Sequence, residues 1–206
     1  MASMPMFPLE SVLVPGMVLP LQVFEERYRS LVRDCLAGDK EFGVVLIERG
    51  SEVGGGDTRS MVGTVAEIVR AEEVPDGRWA VVAVGTRRLR VVAWLDDDPY
   101  PRAKIVPWPD QAAADVAALH ERFDHCIGEV RRGMAMAVEL GESADALAEI
   151  TEQPDLGSYQ LSMIAPLGPL DRQRLLEAEG PAERLDLLAE LIAEANATFE
   201  ARLAQG

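Results

Sequence analysis

Hydrophobic residues in the first half of the chain fall in short runs that predict β-strands. Residues 7–14 form one apolar run, and Pro15-Gly16 ends it as a turn, because proline presets φ and glycine accepts a positive φ. A second apolar run covers 17–23, and Pro20 within it predicts an edge strand or a bulge. Four more extended segments follow, at 42–48, 61–74, 79–95 and 100–106.

A helix is predicted directly after the second strand. Apolar residues recur there at the spacing of one helical face, in the order Tyr28, Leu31, Val32, Cys35 and Leu36. Gly38 stands where a helix-ending glycine belongs. We therefore expect this helix to cap the sheet formed by the strands around it.

Two features of the later strands favour a small closed or half-closed barrel. Pro75-Asp76-Gly77 predicts a hairpin turn, and Gly85 interrupts a long extended segment in the manner of a bulge or a barrel corner. About six strands with such glycine kinks are typical of small barrels.

The hydrophobic period changes to that of helices from Gln111 onwards. A long helix is predicted to end near Gly141, and a further helical turn or two covers 145–151. Three more helices are predicted after it. Ser158 and Asp171 are predicted to cap the next two helices, and Pro181 to stand in the first turn of the last one. The predicted organisation is a β subdomain at 1–110 and a helical subdomain at 111–206.

Composition limits the compartment and the partners. No apolar run reaches the roughly 18 residues of a membrane span, and no secretory signal is recognised, so a cytoplasmic protein is expected. Cys35 and Cys126 then read as buried free thiols. The formal net charge is −15, and residues 111–206 hold 18 of the 35 acidic residues against only 7 of the 20 basic ones. Such a surface repels nucleic acid.

No catalytic, cofactor or metal site is predicted. The chain has no phosphate-binding Gly-x-x-x-x-Gly-Lys motif, and its two lysines, Lys40 and Lys104, have no nearby serine motif that would suggest a peptidase dyad. His120 and His125 are five residues apart, not the four of a zinc helix, although Asp124 holds that place. The glycines at 54–56 are followed by no helix start and read as a loop rather than a phosphate cradle.

The order of these segments resembles the substrate-binding domain at the N-terminus of Lon proteases. The resemblance rests first on Pro8-Leu9, Val14-Pro15-Gly16, Leu19-Pro20-Leu21 and Arg27. It continues through GTVAEIV, VGTRRLRV, DPYPRAKI and LGPLDRQRLLE, and thus covers nearly the whole chain. It implies an α+β fold, a PUA-like β pseudo-barrel followed by a C-terminal helical bundle. The ATPase and protease motifs of a full Lon protease are not found in this sequence.

The function that this resemblance implies is non-enzymatic binding of unfolded polypeptide or of a protein partner, as an adaptor or recognition module in protein quality control. Contact would be made in an apolar groove or by strand addition at the edge that Pro20 interrupts. The candidate polypeptide-binding residues are Met6, Met17, Leu19, Pro20 and Phe24. Two alternatives stay open: an RNA-binding PUA-like domain that uses Arg87, Arg88 and Arg90, and a hydrolase with an unrecognised site.

Overall fold

The structure is a computed structural model, and it describes residues 2–50, 58–142 and 149–205. The chain divides into two compact units, Met1–Pro109 and Asp110–Gly206. The sequence-based boundary placed Asp110 in the first subdomain. In the structure its carboxylate binds Tyr159 and Arg184, and these contacts associate it with the second unit.

The first unit contains six strands and one helix within its described residues. They are β1 (Ala2–Leu9), β2 (Val18–Val23), α1 (Glu26–Ala37), β3 (Glu41–Arg49), β4 (Thr58–Glu73), β5 (Trp79–Trp94) and β6 (Arg102–Pro107). The strand order is β2-β5-β4-β3-β1-β6, and β5 also pairs with β6. The sheet therefore closes through β5, and β2 is left as an edge strand, one of the two roles predicted from Pro20.

The first strand lies earlier in the chain than the apolar pattern predicted. It covers Ala2–Leu9, whereas the predicted run extended to Val14. Its first half pairs antiparallel with β6, and its second half pairs parallel with β3. Pairing with two partners decides its limits, and a local hydrophobic pattern cannot show this.

Alternate residues of β1 face opposite sides of the sheet, as the pleat requires. Met6 packs inside the closed sheet with Val45, Val65 and Leu89. A side chain at Gly43 would begin only 2.5 Å from the Met6 sulfur, so glycine makes room for the methionine there. Phe7 faces the other side, where a second apolar cluster forms beneath α1.

Helix α1 covers this second cluster. Its buried residues are Tyr28, Leu31, Val32 and Cys35, which is the predicted apolar face. They pack with residues of β1, β3, β4 and β5. The predicted capping role of the helix is confirmed.

The irregularity predicted at Gly85 is present in β5. Val65 pairs with Arg87 while the next residue, Ala66, pairs with Gly85, so Thr86 is the extra residue of a bulge. A Cβ atom at Gly85 would lie 2.4 Å from the carbonyl oxygen of Val14. Glycine thus allows the segment after β1 to approach β5 closely.

Four helices form the described part of the second unit: α2 (Val116–Glu139), α3 (Pro154–Ile164), α4 (Pro169–Glu177) and α5 (Pro181–Leu203). Their apolar faces share one core of leucine, isoleucine, valine and phenylalanine side chains. The predicted start of the last helix at Pro181 is confirmed. The turn predicted at 145–151 lies mostly outside the described residues.

Two predicted helix caps were wrong. Helix α3 begins at Pro154, so Ser158 lies inside it, buried, and its hydroxyl donates to the carbonyl oxygen of Asp155 at 3.0 Å. Helix α4 begins at Pro169, and Asp171 stands in its first turn. In both cases a proline starts the helix earlier, because its fixed φ suits the first helical position.

Candidate functional site

A pocket of about 170 Å³ opens beside the edge strand β2. It is lined by Phe7, Leu9, Pro20, Leu21, Gln22, Val23, Phe24, Glu25 and Tyr28. We call it the inner pocket, because Leu21 and Val23 point toward the cluster beneath α1. Its lining is largely apolar, as is usual for a binding site.

The floor of the inner pocket is aromatic and closely packed. The rings of Phe7 and Tyr28 are stacked with their centroids 4.1 Å apart. The Arg27 guanidinium lies over the Tyr28 ring at 4.6 Å and pairs with Glu25 at 3.0 Å. These contacts fix the aromatic rings, so a ligand side chain would meet a preformed surface.

Phe24 stands at the mouth of the inner pocket with 57% of its surface exposed. It lies between the end of β2 and the start of α1, where the chain is neither strand nor helix. Val18, at the other end of β2, is 60% exposed. Large apolar side chains exposed at the two ends of an edge strand form a surface suited to apolar contact.

The five residues predicted to bind polypeptide have different positions. Pro20 and Phe24 line the inner pocket. Met17 and Leu19 are half-buried and pack against the cluster beneath α1. Met6 has no exposed surface, because β1 turns it into the closed sheet. Its burial excludes it from ligand contact in this structure.

Sequence reasoning missed the pocket residues Phe7, Leu9 and Tyr28. Their periodicity assigns them to the core, which is correct, and their partly accessible edges depend on how β1 and α1 meet at β2. No pattern along the chain brings residues 7, 21 and 28 together.

A second pocket, of about 440 Å³, lies on the opposite face of the same strand. It is lined by Pro20, Leu21, Gln22, Arg70, Glu72, Ala80, Val81 and Val82. We call it the outer pocket. The pairing register places Pro20 beside Val82 and Val82 beside Arg70, so its centre is apolar and its far side is charged.

The arginines of the RNA alternative are engaged with other side chains. Arg87 makes two hydrogen bonds of 2.7 Å to the Glu41 carboxylate. The guanidinium groups of Arg88 and Arg90 lie over the Trp108 ring, at 4.6 and 4.1 Å from its centroid. Arg88 is also buried, in contact with Trp108, although an RNA-binding residue would have to be accessible.

The remaining candidate groups form no site within the described ranges. His120 Nδ1 lies 2.8 Å from the Val116 carbonyl oxygen of its own helix. No group of three His, Cys, Asp or Glu side chains suited to a metal ion occurs in the described parts of the chain. The glycines at 54–56 lie outside those parts. None of the helices formed by described residues is long and apolar enough to span a membrane.

Both cysteines are buried thiols, as predicted. Burial raises the pKa of Cys35 to about 12 and that of Cys126 to about 11. Burial, with the hydrogen bond that Tyr100 donates to Asp34, also raises the pKa of Tyr100 to about 12. Since the thiolate is the reactive form, neither cysteine is prepared to act as a nucleophile.

A mixed fold with a six-stranded sheet, five described helices and an apolar edge pocket is consistent with a binding module. The chain belongs to the family of the ATP-dependent protease La (LON) substrate-binding domain, whose model matches residues 3–194. The Lon protease of Cytophaga hutchinsonii is 29% identical over 195 residues, which are 92% of this chain and 24% of that protein. The Lon protease of Flavobacterium johnsoniae is 35% identical over 188 residues, 88% of this chain and 23% of that protein. This chain thus spans about a quarter of the length of these relatives.

Solved structures show the same fold. A Lon N-terminal domain protein from Xanthomonas campestris superposes with a TM-score of 0.65 at 28% identity, covering 92% of this chain and 98% of that one. The N-terminal domain of the Lon protease of Mycobacterium avium complex gives 0.66 at 19% identity, over 93% and 98% of the two chains. The matches are to the N-terminal domain of Lon and not to its protease domain.

Proposed function

We propose that this chain is a non-enzymatic module that binds polypeptide at the edge of β2. The observation that carries the proposal is the inner pocket with Phe24 exposed at its mouth, in a chain of the Lon substrate-binding family. Within that family setting, we propose a role as an adaptor or recognition module in cytoplasmic protein quality control. We also propose that the closed sheet is a pseudo-barrel of the PUA-like type and that α2–α5 form a helical bundle.

The size of the inner pocket supports recognition of single apolar side chains. A pocket of about 170 Å³ accommodates one large apolar side chain and little more. Burying such a side chain contributes about 1.5–3 kcal/mol, far less than a tight complex requires. Weak binding of one residue at a time suits a module that meets many unfolded sequences.

The occupied arginines support polypeptide over RNA as the ligand. Affinity for RNA depends on cations that neutralise phosphates, and the exposed Arg87 is already paired with Glu41. The net charge of −15 acts in the same direction. A serine–lysine peptidase dyad has no support in the structure either, because both Lys40 and Lys104 are exposed.

Fluorescence anisotropy tests the proposal. The probes are a labelled unfolded protein, reduced and carboxamidomethylated lactalbumin, whose blocked cysteines carry no charge, and a labelled single-stranded RNA, each at about 50 mM and about 500 mM salt. At the higher value the Debye length falls to roughly 4 Å, so apolar binding survives and phosphate binding collapses. We expect the unfolded protein to bind at both salt concentrations and the RNA to bind at neither.

Two variants locate the binding. Phe24→Ala should weaken binding of the unfolded protein about fivefold or more, the effect of losing roughly 1 kcal/mol of apolar contact. Leu170→Ala is the matched control, since Leu170 is a comparably exposed apolar residue of the second unit, at 61%. RNA binding that is tight at low salt and lost in Arg87→Ala would overturn the proposal, as would the absence of any binding to the unfolded protein.

A further inference from the structure

Strand β2 has a ladder partner on one side only within the described residues. It pairs antiparallel with β5, from Val18 opposite Val84 to Val23 opposite Trp79. Just before this ladder, Gly85 N–H donates to the carbonyl oxygen of Met17 at 2.9 Å. Backbone polar groups alternate in direction along a strand. Leu19, Leu21 and Val23 therefore direct theirs toward β5, and Val18, Pro20 and Gln22 direct theirs toward the free edge.

Pro20 agrees with this assignment. Proline has no N–H group, so it is tolerated where that group would otherwise face away from the partner strand. Because Pro20 faces the free edge, its missing N–H group removes no hydrogen bond from the β2–β5 ladder. The free edge then offers a donor and an acceptor at Val18, an acceptor alone at Pro20, and a donor and an acceptor at Gln22.

The inner and outer pockets flank this same edge. Both are lined by Pro20, Leu21 and Gln22, but the first lies on the α1 side of the sheet and the second on the opposite side. Successive side chains of any β-strand point to opposite faces. A strand added to β2 would therefore place one side chain in the inner pocket and the next against the outer one.

The charges around the free edge indicate which charged residues a bound strand should carry beside its apolar residues. The charges that line the two pockets balance, because Glu25 pairs with Arg27 at 3.0 Å and Glu72 pairs with Arg70 at 2.5 Å. Glu67 is exposed, and the pairing register connects it to the free edge, because Val18 of β2 pairs with Val84 and Val84 pairs with Glu67. Together with the overall charge of −15, this favours a ligand with Lys or Arg beside its apolar residues.

We infer that the free edge of β2 binds an extended, basic and apolar polypeptide as an added antiparallel β-strand, with alternate side chains entering the inner and outer pockets. This deepens the proposed function and rests on it. Ligand residues whose side chains face the outer pocket lie opposite Val18, Pro20 and Gln22, and the N–H groups of these ligand residues point to β2. Ligand residues whose side chains enter the inner pocket have N–H groups that point away from β2.

Backbone methylation of the ligand tests this geometry directly. The probe is the labelled peptide Lys-Thr-Phe-Thr-Leu-Thr-Lys, in which Phe and Leu share one face and the threonines share the other. N-methylation of the central Thr removes a donor to β2 and adds a clash, so its affinity should fall about tenfold or more. N-methylation of Phe, whose side chain suits the inner pocket, should change the affinity less than about twofold. Equal losses for the two methylated peptides would overturn the added strand.

A pair of protein variants gives an independent readout. Gln22→Pro removes the edge donor without touching the ladder to β5, whereas Gln22→Ala keeps that donor. Peptide affinity should be about fivefold weaker in Gln22→Pro than in Gln22→Ala, the usual effect of one hydrogen bond. Equal thermal unfolding midpoints establish that both variants are folded. If Gln22→Pro does not fold, the two methylated peptides alone test the added strand.

The outcomes separate the inference from the proposed function. If lactalbumin binding depends on Phe24 but methylation and Gln22→Pro have no specific effect, polypeptide binds by side chains alone and the added strand is wrong. If a version of the peptide with Glu in place of Lys binds equally well at low salt, the basic ligand class is wrong. If unfolded lactalbumin does not bind at all, the proposed function fails and the inference fails with it.

Discussion

The buried Arg184 guanidinium donates to the Asp110 carboxylate at 2.8 Å, across 74 residues of chain. The Arg184 side chain has no exposed surface, whereas that of Asp110 is 24% exposed. Arg184 also donates to Ser158 and to the Leu175 carbonyl oxygen, and it stacks 3.6 Å from the centre of the Tyr159 ring. The first residue of the second unit is thereby attached to three of its helices.

Loss of the Asp110 carboxylate should destabilise the second unit strongly. Asp110→Ala leaves a fully buried cation without this partner, a change that usually costs roughly 3–5 kcal/mol. Urea unfolding, followed by circular dichroism, measures the cost.

Asp171→Ala is the matched control for this change. Asp171 pairs with Arg174 at 3.0 Å, but that arginine is 55% exposed, so the loss should stay under about 1 kcal/mol. The double variant Asp110→Ala/Arg184→Met should recover part of the stability lost in Asp110→Ala. Similar costs for Asp110→Ala and Asp171→Ala would contradict a structural role for the buried pair.

Truncation of Leu31 should destabilise the first unit. Leu31 is fully buried beneath α1, and Leu→Ala at such a site costs roughly 2–5 kcal/mol. Leu36→Ala deletes the same atoms from the same helix at a half-buried position and should cost clearly less. If Leu31→Ala lowers the free energy of unfolding by less than about 0.5 kcal/mol, as measured from the urea midpoint, α1 is peripheral to the fold.

The Glu41–Arg87 pair should make stability depend on acid pH. The hydrogen bonds from Arg87 lower the pKa of Glu41 below its ordinary value. The stabilisation is therefore complete above the ordinary glutamate pKa of about 4.3 and is lost as pH falls through the lowered folded-state value.

Thermal unfolding from neutral pH to about pH 3 tests this dependence. Arg87→Ala should lower the melting temperature at neutral pH, and its difference from the unaltered protein should shrink in acid. Glu41→Gln should show the same behaviour, because it removes the other partner. A difference that stays constant across this range would show that the pair does not couple folding to pH.

The two thiols should resist modification in the folded protein. Their pKa values of about 12 and about 11 leave almost no thiolate near neutral pH, and their side chains are buried. A disulfide reagent such as DTNB should label neither cysteine quickly in buffer and both quickly in concentrated urea. Rapid labelling of Cys35→Ser in buffer would show that Cys126 is accessible, and the converse variant, Cys126→Ser, tests Cys35.

Much of the fold could be predicted because local periodicity reports burial directly. The buried face of α1, the interruption at Gly85 and the start of α5 at Pro181 follow from spacing and from the backbone limits of glycine and proline. The caps at Ser158 and Asp171 were wrong because prolines upstream start those helices earlier.

The sequence by itself determined the mixed α and β composition and the family, and it limited β2 to an edge strand or a bulge, because each depends on local pattern or on residue order. Only the tertiary structure decided which side of the sheet each residue faces. It buries Met6, places Arg88 against Trp108, and brings Phe7 and Tyr28 to Leu21 to form the inner pocket. These outcomes depend on which strands pair and in which register, and pairing joins residues too far apart in the chain for any local pattern to record it.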